Sequence, residues 1–128
     1  MILDTSVLID LLRGNREVVE KIRSLENRHV TLSLTTVSVF ELWQGTDEVN
    51  EKKRERLHFL LESIASFSLD TNAAKEAGKI HAALRKEGRI IDLEDSMIAG
   101  IAKVKQEPLL TRNTDHFGRI SGLIIETY

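Results

Sequence analysis

Four acidic residues in this sequence lie within or directly beyond apolar runs, where a carboxylate is a cost unless it has a task. Asp4 follows Met1–Leu3 in MILDTSVLID, Glu41 is embedded in VSVFELWQG, Asp95 opens DSMIAGIA, and Asp115 lies in TRNTDHF just past PLLT. Each has a plain structural use when taken singly. Asp4 can cap the helix SVLIDLL, and Asp92 and Asp95 have the offset of a variant capping box. Glu41 can be a surface acid and Asp115 a loop residue. Gathered in one cleft, they pose a different problem. Two carboxylates about 5 Å apart repel by about 3 kcal/mol at an effective dielectric of about 20, so three cost roughly 10 kcal/mol, comparable to the stability of a small domain. Such a cluster persists by taking up protons, by spreading apart or by binding a cation. Cys is absent, and His29, His58, His81 and His116 share no ligand spacing, so they read as ordinary surface or satisfied residues. Oxygen donors alone select a hard ion, Mg²⁺ with Mn²⁺ as its substitute. A carboxylate-held metal is a means of activating water against a phosphodiester.

The apolar spacing indicates which elements must carry these acids. MIL reads as a buried strand and SVLIDLL as a short helix closed by Gly14. Val18, Val19, Ile22 and Leu25 recur at helical intervals behind Asn15, an N-cap residue. HVTLSL (His29 to Leu34) alternates like a strand. Thr35 or Thr36 then caps a helix through Trp43, which is expected in the core. Leu57, Leu60, Leu61 and Ile64 share a helical face, and SFSL follows as a strand. Asp70 or Thr71 caps a helix with Ala73, Ala77, Ile80 and Leu84 inward. DSMIAGIAKV is a further helix, and PLLT and GLIIET are late strands. Alternating strands and helices predict an α/β domain with a mostly parallel sheet. In such sheets ligands gather at the carboxyl ends of the strands, which is where Asp4 falls.

With 128 residues, 41% of them apolar and 30% charged, the chain reads as one domain spanning 1–128. No apolar run approaches a membrane span, and no basic-then-apolar leader opens the sequence. A cytoplasmic protein without membrane contact is the expectation. The net charge of −2 does not mark a nucleic-acid binder, yet local patches can steer one. EKKRERLH (Glu51 to His58) and RKEGR (Arg85 to Arg89) are such patches, or else solvated helix faces.

DTSVLI, FELWQG, and DSMIAGIA followed by LLTRNTDHF resemble, in that order, the motifs of PIN-domain ribonucleases, and more narrowly of VapC-type toxins of toxin–antitoxin pairs. The likeness runs from Met1 to the closing strand. It implies a three-layer α/β/α sandwich around a parallel sheet, with the acids clustered on one or two Mg²⁺ ions. It also implies hydrolysis of RNA, in these toxins often transfer RNA, together with a homodimer and a cognate VapB-like antitoxin. Carried over by position, Asp4 and Asp95 are the principal metal ligands, and Glu41 is a ligand or positions the attacking water. Thr5 or Ser6 supports the site through hydroxyl or backbone contacts. Family members often have a fourth acid where this chain has Asn113, and the nearest carboxylate is Asp115, two positions on. Two residues of extended chain span about 7 Å, against a Mg–oxygen bond of about 2.0–2.1 Å. Asp115 is therefore expected to act through water.

Other acid-dependent chemistries fit less well. A phosphohydrolase of the HAD type needs a second acid two residues after the first, where this chain has Ser6. A receiver domain needs an early acid pair and a late Lys, where LLTRN offers Arg112. The alternative from a different class is a non-catalytic α/β protein-binding module whose acids only cap helices.

Overall fold

A computed structural model describes residues 1–46 and 50–128. Among these residues, five short strands run parallel: β1 (Ile2–Leu3), β2 (Leu34–Thr35), β3 (Ser66–Phe67), β4 (Leu109–Leu110) and β5 (Ile125–Glu126). β4 pairs with both β1 and β5, and β2 pairs with β3. A parallel bridge between Ile2 and Ser33 links the two groups. Leu3 N donates to Ser33 O at 2.8 Å, and Ser33 N donates to Met1 O at 2.9 Å. The first strand is therefore central, as its apolar sequence predicts.

Strands this short make the core a matter of register. Ile2 lies opposite Leu109 and Leu3 opposite Leu110, and successive side chains point to opposite faces. Ile2 and Leu109 join one buried cluster with Ile80, Leu84, Ile98 and Ile101. Those residues come from α5 (Thr71–Lys86) and α6 (Leu93–Lys105). Leu3 and Leu110 join a second cluster with Val7, Leu8, Val18, Ile22 and Leu25, from α1 (Thr5–Leu12) and α2 (Arg16–Asn27). Helical layers on both faces of a parallel sheet make the three-layer α/β/α sandwich. The remaining helices are α3 (Thr36–Trp43), α4 (Glu51–Ser63) and α7 (Thr114–Phe117).

α5 and α6 approach closely because Gly100 faces Ala73 and Ala77. A β-carbon at Gly100 would stand 2.7 Å from Ala73 O and 2.7 Å from Ala77 N. That contact fixes α6, the helix carrying Asp95.

Several local expectations hold. Asn15 accepts from Glu17 N and Val18 N, Thr35 from Ser38 N, and Asp70 from Ala73 N. Others need correction. The strand expected over residues 29–34 is confined to Leu34–Thr35, because His29 adopts φ 57 and closes α2. α6 begins at Leu93, two residues before Asp95. TDHF, expected as loop, forms the single turn α7. Trp43 is not core: it is 42% exposed and tilts against His58 with ring centroids 6.0 Å apart. On α4 only Leu57 is fully buried.

Candidate active site

Asp4 terminates β1 and occupies the N-cap position of α1, yet its side chain accepts no capping hydrogen bond. The carboxylate is instead held from outside the helix end. Ser6 Oγ and Thr111 Oγ1 each donate to Asp4 Oδ2 at 2.7 Å. Thr111 comes directly after β4, so the pairing of β4 with β1 delivers its hydroxyl. Ser6 Oγ also accepts from Arg112 N at 3.3 Å.

Glu41 reaches the same region from α3, where Thr5 Oγ1 donates to its Oε1 at 2.7 Å. Burial pushes the Glu41 carboxyl above its ordinary value. The Thr5 bond pulls it back, while the charges of Asp4, Asp95 and Glu94 push it up further. Asp95 stands in the first turn of α6. Its Oδ2 lies 2.7 Å from His116 Nδ1 and accepts from Asn113 Nδ2 at 3.2 Å. Burial raises the Asp95 carboxyl as well, opposed first by the His116 hydrogen bond and reinforced by Asp4. Mutual repulsion thus ties Asp4, Glu41 and Asp95 into one electrostatic unit.

The hydrogen bonds fall unevenly on these acids. Among the described residues, every one to Asp4 and Asp95 ends on Oδ2, and the one to Glu41 ends on Oε1. Each carboxylate is therefore fixed by one oxygen, and the other has no hydrogen-bond partner among the described residues. Oxygen donors that repel one another are the chemistry a divalent cation takes, and among the described residues the group whose ligand atoms stand close enough to share one is Asp95 with Asp92 and His116. The N-termini of α1 and α6 add the positive ends of their dipoles to the same acids.

Thr5, Ser6 and Asn113, the supporting residues expected from the sequence, all touch the cluster. Asp115 does not join it: its side chain is 92% exposed and lies 3.8 Å from Arg119 Nη2. Sequence reasoning missed Thr111 and His116. Neither carries a local signal, because Thr111 matters through a strand pairing and His116 through the turn of α7. Asp92 was also passed over as a cap. It sits at the N-cap of α6 without a side-chain capping bond, and ligand atoms of Asp92, Asp95 and His116 lie within 4.8 Å of one another. The helix-capping alternative loses its basis here, since neither Asp4 nor Asp92 caps through its side chain. The basic stretch at residues 51–58 lies on α4, and RKEGR spans the end of α5.

Comparisons with known proteins place the chain in a family. The family model for the PIN domain matches residues 1–123. Ribonuclease VapC3 of Methanocaldococcus jannaschii is 32% identical over 100 residues, covering 78% of this chain and 95% of that protein. The tRNA(fMet)-specific endonuclease VapC of Shigella flexneri is 28% identical over 128 residues, covering 98% and 96%. Among solved structures, the DNA-bound VapBC of Salmonella typhimurium matches with a TM-score of 0.87 at 26% identity, covering 98% of this chain and 96% of that one. The VapBC2 complex of Rickettsia felis, bound to a promoter DNA fragment, matches with a TM-score of 0.89 at 21% identity, over 99% and 97%. From its β1 acid to the turn that holds Asp95, this chain belongs to the PIN-domain family, among the VapC proteins.

Proposed function

We propose that this chain is a divalent-metal-dependent endoribonuclease and the toxin of a toxin–antitoxin pair. The observation that carries the reading is the set of three carboxylates, each held by hydrogen bonds to one of its two oxygens, with the charge of Asp4 acting on both Glu41 and Asp95. Asp4 and Asp95 would hold the cation, Mg²⁺ or Mn²⁺, with Glu41 beside them. Such an ion, when bound, neutralises the acids, polarises a phosphodiester oxygen and makes water more acidic. Glu41 takes the proton of the attacking water, a role that its upward-shifted carboxyl suits because it is a stronger base than an ordinary glutamate. Thr5 aims Glu41, Ser6 and Thr111 aim Asp4, and Asn113 and His116 aim Asp95. Asp115 contributes at most through water.

RNA is the substrate, with transfer RNA the first to try, because a relative matching nearly the whole chain is named for cleaving tRNA(fMet). A VapB-like antitoxin and a second copy of the chain are the expected partners, the first supported by solved VapBC complexes. The test is cleavage of a tRNA pool and of single-stranded RNA by purified protein, with Mg²⁺ and with EDTA. The reading expects cleavage with metal alone, and its loss in Asp4→Asn and Asp95→Asn variants that remain folded. Equal cleavage by parent and variants would place the activity elsewhere.

A further inference from the structure

Asp10 is a buried acid that the proposed chemistry does not use. It sits on α1, its side chain only 4% exposed. Arg112 Nη1 donates to Oδ1 at 2.9 Å and to Oδ2 at 2.8 Å, and Tyr128 Oη donates to Oδ2 at 2.7 Å. Burial and the adjacent Asp10 push the Tyr128 phenol far above its ordinary value, so it stays a donor at any working pH. Neutralising Asp10 would by itself explain an arginine here, but such an arginine would be expected to bury its guanidinium. Arg112 is 57% exposed instead. Among the described residues, all its side-chain bonds leave from Nη1, which keeps Nε and Nη2 without protein partners.

Its position gives that bare edge a use. Arg112 lies between Thr111, which holds Asp4, and Asn113, which holds Asp95. Its own amide contacts Ser6, the other hydroxyl on Asp4. A cation thus stands at the rim of the acid cluster, clamped before any substrate arrives. The planar edge of a guanidinium matches two oxygens of a phosphate, and pre-ordering reduces the entropy lost on contact.

We infer that Arg112, fixed by Asp10 and Tyr128, is the arm that grips an RNA backbone phosphate beside the scissile one. This assignment rests on the ribonuclease reading and adds a residue that chooses where the strand lies. Asp10 and Tyr128 act through Arg112 and are positioning residues. Such an arm offsets the repulsion that a polyanion meets from whatever charge the acids retain.

The test measures binding of a labelled single-stranded RNA oligonucleotide over a salt series, in a Glu41→Gln background that blocks cleavage. Arg112→Gln keeps a hydrogen-bonding partner for Asp10 while removing the charge. It should weaken RNA binding about tenfold, the size of one lost charge-assisted hydrogen bond. The slope of log K against log salt should shrink by about 0.7, one phosphate contact on a single strand. Tyr128→Phe leaves the charge but loosens it, so affinity should fall about threefold with the slope unchanged. An affinity and slope equal to the parent's in Arg112→Gln would overturn the assignment, whatever its melting temperature, and leave Arg112 as the neutraliser of Asp10. A parent that binds neither this RNA nor tRNA would overturn the ribonuclease reading and this assignment together.

Discussion

The Thr5 hydroxyl donates to Glu41 Oε1 across 2.7 Å and stands 3.0 Å from Ser38 Oγ, joining the first turn of α1 to α3. Thr5 is buried and shaped like valine, so Thr5→Val removes the donor with little change in packing. The bond lowers the Glu41 carboxyl, so its loss raises that group further. If Glu41 must be ionised to accept a proton, the acid limb of the pH–rate profile moves to higher pH in Thr5→Val. Cleavage at neutral pH should drop by about tenfold, a part of the roughly 10²–10⁴-fold that general-base catalysis supplies. Thr5→Ser should restore both. A profile that does not move would separate Thr5 from the chemistry.

The raised carboxyls also set how stability depends on pH without metal. Glu41 and Asp95 are held above 4.5 and 3.8. Between those ordinary values and the raised ones, the folded chain binds more protons than the unfolded chain. Stability present below the ordinary values is therefore lost as pH rises through the raised ones. Glu41 is the cleaner of the two, because His116 lies against Asp95. In EDTA at neutral pH, Glu41→Gln should melt about 1–3 °C above the parent, and the gap should close on acidification. A lower melting temperature at every pH would make Glu41 part of the architecture instead.

The turn around Asn113 bears on how many metals the resting site holds. Asn113 already touches Asp95, whereas Asp115 faces solvent beside Arg119. Calorimetric titration of RNA-free protein with Mn²⁺ should therefore give one tight site. Asp115→Ala should lose activity only in part, by roughly threefold or less, in keeping with a surface charge acting at a distance. Asn113→Asp adds a carboxylate next to Asp95 and should be neutral or mildly activating. Two tight, equivalent Mn²⁺ sites in the parent would refute the single-metal picture.

Gly100 gives a prediction about architecture. A methyl group there meets backbone atoms of α5 at 2.7 Å, and backbone cannot swing aside like a side chain. Gly100→Ala should cost about 1–3 kcal/mol by denaturant unfolding, the usual scale of overpacking. Because α6 carries Asp95, cleavage should fall by more than the unfolded fraction accounts for. A variant as stable and as active as the parent would show that the two helices can part without consequence.

Much of this was legible in the sequence, for reasons that can be named. β1 announced itself because three apolar residues end on an acid. α2 and α5 announced themselves through 3.6-residue spacing behind Asn15 and Asp70, which do cap them. Asp4, Glu41 and Asp95 stood out as charges in apolar surroundings. What stayed hidden depends on distant pairing. His29 to Leu34 alternates like a strand, but the end of α2 takes His29 into a left-handed turn. Thr111 is an ordinary residue until β4 docks beside β1. His116 looked like a surface histidine because its partner is 21 positions away and comes near only through α7. Asp10 carries no local signal of its partners, because only the fold brings Arg112 and Tyr128 to it from far along the chain.

The pairing of β1 with β4 also has a meaning in time. Asp4 is made well before the hydroxyl that orients it, which comes 107 positions later. On the ribosome, the central strand of the sheet emerges with one of its two neighbours still unwritten in protein. Contacts that span so much chain form late in folding, so a nascent or prematurely stopped chain carries the acids without the cleft. A protein that destroys RNA would thus be inert while its own message is being read.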